Sequence, residues 1–391
     1  TAGHRALANN SVSYTEKPDM ETFLREWTAL VESKSGERGI FNRQAAQKQA
    51  TKNNRRDPNW EFGTNPCSEI ILRGPKIDLK TGQPITGTGG QFCNLSEVVV
   101  RATDDIKSLS RKVKLATIVG TVQSSLTKFP YLRKVWQNNT EEERLLGVSL
   151  TGIMDNPLLT DKNKGLSQTL DHLRHVAVQT NKEWAERLGV QQSTAITCVK
   201  PSGTVSQLVD SASGIHARHS HHYIRTVRGD NKDPITQFMI DQGIPAEPCV
   251  MKPDTTMVFS FPIQSPKNAV TRNDMTAIEQ LEMWIIYQRH WCEHKPSVTI
   301  TVKDDEWMEV GAFVYKHFDE MSGVSFLPHS DHTYQQAPYQ ECTKEEYKEL
   351  LKRLPKKIDW EKLSLYEQED NTIGMQTLAC SGDVCEIVDL T

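Results

Sequence analysis

Asn65-Pro66-Cys67-Ser68-Glu69 is followed, after the turn-rich pieces Thr81-Gly82-Gln83-Pro84 and Thr88-Gly89-Gly90, by Gln91-Phe92-Cys93-Asn94-Leu95, and the reading of the whole chain depends on this stretch. Side chains two apart in an extended segment share a side. Asn65, Cys67 and Glu69 are therefore expected to present an amide, a sulfur and a carboxylate together: a hydrogen bonder, a redox atom and a base. A carboxylate beside a thiol raises the thiol's pKa. Such a position is a poor source of thiolate nucleophile and better suited to one-electron sulfur chemistry. The competing reading of so short a pattern is a buried structural cysteine between a turn proline and a strand, because free cysteine is among the most buried residue types. The rest of the chain decides between them.

Composition narrows the classes. At 391 residues and 44.3 kDa the chain suits one large domain or two ordinary ones. A net charge of -4 and a pI near 6.3 argue against a protein that coats nucleic acid, so no direct nucleic-acid partner is expected. Eight cysteines without regular spacing fit a reducing compartment. No apolar run reaches the length of a membrane span and no signal peptide is recognisable, so a cytoplasmic location without a membrane partner is expected. The chain begins with Thr1 in a polar stretch, as a processed or excised piece of a longer protein would.

Met20, Phe23, Leu24, Trp27, Leu30 and Val31 follow helical spacing, with Asp19 as N-cap and Gly36 as the closing residue. The basic, amide-rich run 44–56 reads as a solvated helix or loop. Ile106, Leu109, Val113, Ala116, Ile118 and Val122 mark a long helix. Thr140 and Glu143 read as the capping box of a second helix running into Leu146-Gly147-Val148-Ser149-Leu150-Thr151-Gly152-Ile153, whose small residues allow close packing. A third helix carries Leu166, Leu170, Leu173, Ala177 and Trp184 and stops at Gly189.

A β-rich run, Thr194–Val199, then leads into Lys200-Pro201-Ser202-Gly203-Thr204-Val205-Ser206. Strand, tight turn and helix start offer free N–H groups and hydroxyls to an anion, although an ordinary capped helix has the same pattern. Histidines 216, 219, 221 and 222 have the residue type of a zinc site, but no cysteine lies close in sequence and no metal site is assigned. Tyr223–Val227 reads as a strand. Helices around Leu281–Trp291 and Trp307–Phe318 alternate with the runs Ser297–Val302 and Gly323–Pro328, which argues for α/β architecture with parallel strands. Thr343 with Glu346 caps a last helix ending near Leu354-Pro355. The tail closes on Cys380-Ser381-Gly382-Asp383-Val384-Cys385, two thiols flanking a turn and able to form a reversible disulfide on a mobile terminus.

Asn-x-Cys-x-Glu with a second cysteine in a Phe-Cys-Asn-Leu context resembles the active-site finger loop of ribonucleotide reductases. Ser35–Arg43, Leu146–Ile153, Lys200–Ser206, Gly214–Ser220, His294–Thr299 and Tyr334–Tyr339 are also similar to that family, in family order. The resemblance is closest to the adenosylcobalamin-dependent, monomeric type acting on ribonucleoside triphosphates. It implies the second half of a ten-stranded α/β barrel with a central finger loop and a flexible C-terminal tail. Residues 1–60 would be lead-in helix and linker, 61–340 the C-terminal half-barrel with finger loop 63–95, and 341–391 a terminal helix and redox-active cysteine tail.

The same resemblance implies roles. Adenosylcobalamin would generate a thiyl radical at Cys67 that takes the 3′ hydrogen of the ribose. Glu69 would be the base on the 3′ hydroxyl, Asn65 would hydrogen-bond the sugar, and Cys93 would supply one of two reducing thiols. Cys380 and Cys385 would restore them, with a thioredoxin-like protein or small dithiol as reductant. Pro201, Ser202, Gly203, Thr204 and Ser206 would form the phosphate loop. The chain departs from the family in lacking the preceding half, with the partner thiol of Cys93, the first barrel strands and the effector region, so an N-terminal half is expected as partner. It also lacks an Asp-x-His-x-x-Gly motif, an adjacent Tyr pair and a glycyl-radical loop. Two alternatives are a class I large-subunit fragment and a non-catalytic fragment retained for nucleotide binding or assembly.

Overall fold

The computed structural model describes residues 10–34, 38–329, 334–367, 378–381 and 384–387. Its mixed α/β chain divides into two compact units. One comprises Thr1–Ala217, Asn268–Val270 and Asp274–His329; the other comprises Arg218–Lys267, Thr271–Asn273 and Ser330–Thr391.

The first unit is built on a four-stranded sheet in the order Asn10–Tyr14, Arg38–Asn42, Val324–Pro328, Thr299–Val302. The outer pairs are parallel, and each is joined through a helix. At the centre, Val324 meets Ile40 in an antiparallel pairing. Helix Met20–Ser33 starts where the Asp19 carboxylate accepts from Thr22 N, and it buries Phe23, Trp27 and Leu30. Trp27 donates to the Trp307 carbonyl at 3.2 Å. Gly311 is required opposite it, because a Cβ there would lie 2.6 Å from the indole nitrogen. Helix Ala277–His290, with a Thr276/Glu279 capping box, sends Leu281, Trp284 and Tyr287 into the same core.

Two smaller sheets complete this unit. Asn94–Val99 and Leu146–Thr151 pair in parallel, and helix Ile106–Gln123 packs over them with Leu166–Leu188 against its other side. Trp60–Thr64, Ile71–Ile77 and Pro84–Ile85 form an antiparallel meander. The expected long helix, the third helix and its stop at Gly189 are all present.

Several expectations need correction. Thr140 and Glu143 lie at the end of helix Lys134–Glu143 and do not cap a start; Leu146–Thr151 is a fully buried strand. Leu146, Val148 and Leu150 alternate with Gly147, Ser149 and Thr151, the period of a strand, and this outweighs the apparent cap at Thr140 and Glu143. Run 44–56 contains helix Arg43–Thr51, whose Ala45, Ala46, Gln49 and Ala50 are buried, because alanine and amide stems pack where longer charged side chains would not. Thr194–Val199 is an irregular extended segment joined to neighbours by isolated bridges. Lys34, in the left-handed region, caps the first helix; Gly36 lies outside the described residues.

The second unit is antiparallel, a second departure from the expected parallel strands. Its sheet runs Tyr339–Glu341, His222–Asp230, Thr256–Gln264, Ala246–Pro248, with helix Lys344–Arg353 capped by the expected Thr343/Glu346 box. Leu378–Ser381 and Val384–Ile387 form a hairpin whose register sets Cys380 opposite Cys385. Gly382 and Asp383 between them lie outside the described residues.

Candidate functional site

Strand Trp60–Thr64 delivers the chain into a tight turn instead of the extended segment expected from sequence. Ser68 N donates to Asn65 O at 2.9 Å, and Ser68 adopts φ 68°. A proline, with φ fixed and no N–H to place, is suited to the position after Asn65. Asn65 Oδ1 accepts from Ile70 N at 3.1 Å and closes the loop, and the Thr64 and Ser68 hydroxyls meet at 3.2 Å. The consequence is a separation that alternation would not produce. Cys67 is exposed at the turn, while Glu69 is 1% exposed behind it.

Among the described residues, neither Glu69 carboxylate oxygen has a hydrogen-bond donor. Burial, and then the Glu69 charge, raise the Cys67 thiol above its ordinary value, against a lowering pull from Lys200. Cys67 is thus held as S–H. Cys93 is part-buried, and its thiol is pushed up strongly by burial and then by Glu69. Glu69 therefore acts electrostatically on both thiols, and the structure brings Cys67, Glu69 and Cys93 into one neighbourhood. Cys198 belongs to the same electrostatic group and is fully buried, as expected of a packing residue.

The turn lines a cleft of about 910 Å³ together with Asn65, Pro201, His216, Lys295 and Ser297. Glu69 and Cys93 do not line it as it stands. Of the anion-loop residues, Pro201 reaches the cleft, and Gly203 and Thr204 are exposed at the start of helix Gly203–Leu208. Ser202 and Ser206 are buried. Ser202 takes φ 55° and its hydroxyl donates to Glu97, whose carboxyl is raised mainly by burial; the Ser206 hydroxyl donates to Gly203 O at 3.2 Å. The loop's two buried hydroxyls are thus engaged internally, and Gly203 and Thr204 are its exposed residues.

A buried ionic network supports the loop from behind. Arg56 grips Glu143 through two nitrogens at 2.9 and 2.7 Å and donates to Ile71 O at 3.0 Å. Arg73 approaches Glu143 at 3.3 Å, and Gln91 bridges from Arg73 N to the Glu143 carboxylate. Burial works to raise the Glu143 carboxyl, but Arg56, Arg73 and Gln91 outweigh it and leave the group below its ordinary value. Gln91, two residues before Cys93, is thereby the anchor of the second motif.

Three site residues lay within quoted strings but escaped a role at the sequence level. His216 is buried and lines the cleft; its Nδ1 meets Ser213 O at 2.9 Å and its Nε2 accepts from Thr299 N at 3.1 Å. These partners set the Nδ1–H tautomer. Lys295 has no exposure, and Ser297 donates to Cys67 O at 2.5 Å. The string His294–Thr299 was the available signal, but burial of its lysine depends on contacts more than two hundred residues away in sequence. Among the described residues no group of His, Cys, Asp and Glu is arranged to hold a metal ion, and no helix is long and apolar enough to cross a membrane.

No family model matches the chain. It is 27% identical over 334 residues to the adenosylcobalamin-dependent ribonucleoside-triphosphate reductase of Euglena gracilis, covering 83% of this chain and 42% of the relative. The reductase of the same description from Lacticaseibacillus paracasei is 26% identical over 430 residues, covering 98% of this chain and 53% of the relative. A crystal structure of a B12-dependent, class II ribonucleotide reductase superposes with a TM-score of 0.73 at 23% identity, over 93% of this chain and 52% of that one. The chain spans about half the length of the curated relatives it matches.

Proposed function

We propose that the chain provides the radical-bearing half of an adenosylcobalamin-dependent ribonucleoside-triphosphate reductase, completed by polypeptide corresponding to the rest of its relatives' length. The observation that carries this reading is the pairing of an exposed, neutral thiol at Cys67 with a buried carboxylate at Glu69 that has no hydrogen-bond donor among the described residues. A hydrogen-atom relay needs a sulfur that keeps its hydrogen. A base on a sugar hydroxyl needs a carboxylate with lone pairs to spare. On this reading the parallel strand pairs of the first unit belong to the C-terminal part of a barrel, with residues 63–95 as its finger loop.

The cofactor fits the donor chemistry of the site: Cys67 opens onto a cleft of about 910 Å³ and its thiol is held protonated. Asn65, Cys67 and His216 are the cleft residues that would face it. When bound, adenosylcobalamin supplies the one-electron oxidation that removes the hydrogen atom from the Cys67 sulfur.

The chain's own residues take part in each remaining step. The Cys67 sulfur radical takes the 3′ hydrogen atom of the ribose, and Glu69 accepts the 3′ hydroxyl proton. The 2′ hydroxyl takes a proton from the reducing thiols and leaves as water; Cys93 and a second thiol from the completing polypeptide supply the two electrons and are oxidised together to a disulfide, and the 3′ hydrogen returns from Cys67. Asn65 holds the sugar, and the loop 201–206 with Lys200 receives the triphosphate. The hairpin that pairs Cys380 with Cys385 exchanges with the active-site disulfide and is re-reduced by a dithiol.

The test is reduction of a ribonucleoside triphosphate with adenosylcobalamin and dithiothreitol, using this chain mixed with a polypeptide corresponding to the other half of a relative. Deoxynucleotide formation is expected in the mixture and is expected to vanish in Cys67→Ala. Turnover unchanged in Cys67→Ala would overturn the reading.

A further inference from the structure

Three consecutive carbonyls of the reactive turn end on one distant segment. Cys67 O accepts from the Ser297 hydroxyl at 2.5 Å, Ser68 O from the Lys295 ammonium at 2.5 Å, and Glu69 O from the Lys295 backbone N–H at 3.2 Å. The carbonyl of Lys295 in turn accepts from Val199 N at 3.3 Å, which ties the turn to the segment entering the 200–206 loop. Lys295 is fully buried, and burial lowers its ammonium to about 8 against the opposing field of Glu69. Cys292 and Cys198 also face it, and both thiols are held protonated by burial. Glu69 is therefore the negative charge nearest in effect to this lysine, although no ion pair joins the two among the described residues. Gly323 leaves space for the arrangement: a Cβ there would sit 3.3 Å from both Lys295 Cε and Ser68 Oγ.

We propose that Lys295 is the positioning residue of the reactive turn: together with Ser297 it clamps the Cys67–Ser68–Glu69 carbonyls, and its buried positive charge offsets the buried Glu69 carboxylate. A buried charge left without its partner is strongly destabilising. Without the Lys295 ammonium the turn loses its anchor on Ser68 O and Glu69 loses the opposing charge, so Cys67 and Glu69 are no longer held in place for reaction. The catalytic consequence rests on the reductase reading; the clamp and the charge pairing do not.

The test is a cycle on the full chain of Lys295→Met, Glu69→Gln and the two combined, followed by urea unfolding at neutral pH. Lys295→Met should lower the urea midpoint. The combined variant should recover at least half of the lost midpoint. Midpoint losses that simply add would overturn the proposal, because a lysine present only for its bulk would give that result. If Lys295→Met does not fold, a folded combined variant supports the pairing and an unfolded one overturns it. In the reductase assay, Lys295→Met should lose about tenfold or more in kcat with KM within about twofold; an unchanged kcat would overturn the catalytic consequence. Positive unfolding results with no turnover in any form, wild type included, would leave the clamp standing and count against the reductase reading alone.

Discussion

At the scale of single residues, the turn at 65–69 separates two groups that a simple alternation would have placed side by side. Cys67 faces the cleft, and Glu69, set behind it, acts on the thiol through its field and in the proposed reaction takes the substrate's hydroxyl proton. Removing the base while keeping its shape isolates that second role. Glu69→Gln should lower kcat by about 10²- to 10⁴-fold with KM little changed, measured in the mixture that tests the proposed function. His294 has a different kind of importance. Its Nδ1 accepts from Ile71 N at 3.2 Å and its Nε2 donates to Leu146 O at 2.9 Å, joining the two strands that flank the motifs. Burial, and then the Arg56 charge, hold its pKa at about 3. The unfolded ring, with its ordinary value of 6.5, takes a proton that the folded ring refuses, so this contribution is complete above 6.5 and is lost as pH falls towards 3. His294→Ala strands one buried donor and one buried acceptor, and should cost about 2 to 4 kcal/mol at neutral pH. Urea unfolding at two pH values checks both statements: the loss should shrink in acid, where the wild-type histidine itself becomes a burden.

At the scale of elements, Leu146–Thr151 and the Gly152 that ends it hold the motif-bearing strands in register. A Cβ on Gly152 would lie 2.5 Å from Val100 O, and its φ of 82° disfavours any side chain. Gly152→Ala should therefore cost about 2 to 4 kcal/mol, read as a fall in urea midpoint with an unchanged slope. The small residues of this string are legible from sequence as a close-packing signal; its strand character is written in the alternation of Leu146, Val148 and Leu150 with Gly147, Ser149 and Thr151, which the cap-like Thr140 and Glu143 just before it obscure. Helices with caps were the easiest elements to read: Asp19, Thr343/Glu346 and the stop at Gly189 all have local causes. What stayed hidden depends on distant partners. The Arg56–Glu143–Arg73 network spans residues 56 to 143, so neither the basic run around Arg56 nor Glu143 gave any sign of burial. The turn at Asn65–Glu69 was missed because Pro66 and Ser68 were passed over as turn chemistry in favour of alternation. Lys295 was visible only as part of a string, since nothing local marks a lysine for burial.

At the scale of the molecule, the groups that burial perturbs set a window of stability in pH. On the acid side, His216 and His294 are held neutral in the fold and take protons only when it opens, so stability falls below about 6.5. On the alkaline side two sets oppose each other. Burial lowers Lys52 and Lys295 to about 8 from 10.5, so between those values the unfolded chain binds more protons and stability rises with pH. Burial raises the thiols of Cys93, Cys198 and Cys292, so above their ordinary 9.0 the folded chain retains protons that the unfolded chain has lost, and stability falls. Tyr287, raised by burial, adds to that fall above 10.0. Below 9 the lysines act together with Cys249, whose thiol is lowered, against burial, by backbone hydrogen bonds from Met251 and Lys252; above 10.5 they are spent and the raised thiols and tyrosine continue. Urea unfolding from about pH 5 to about pH 11 under reducing conditions should therefore give a maximum near pH 9 and a loss on either side. Cys292→Ala should be less stable than wild type at pH 8 because of the cavity it leaves, yet lose less on going to pH 11. Stability that continues to climb beyond pH 10.5, or an alkaline loss unchanged in Cys292→Ala, would mean that these thiols ionise in the folded chain. In that case burial would not hold sulfur protonated around Cys67.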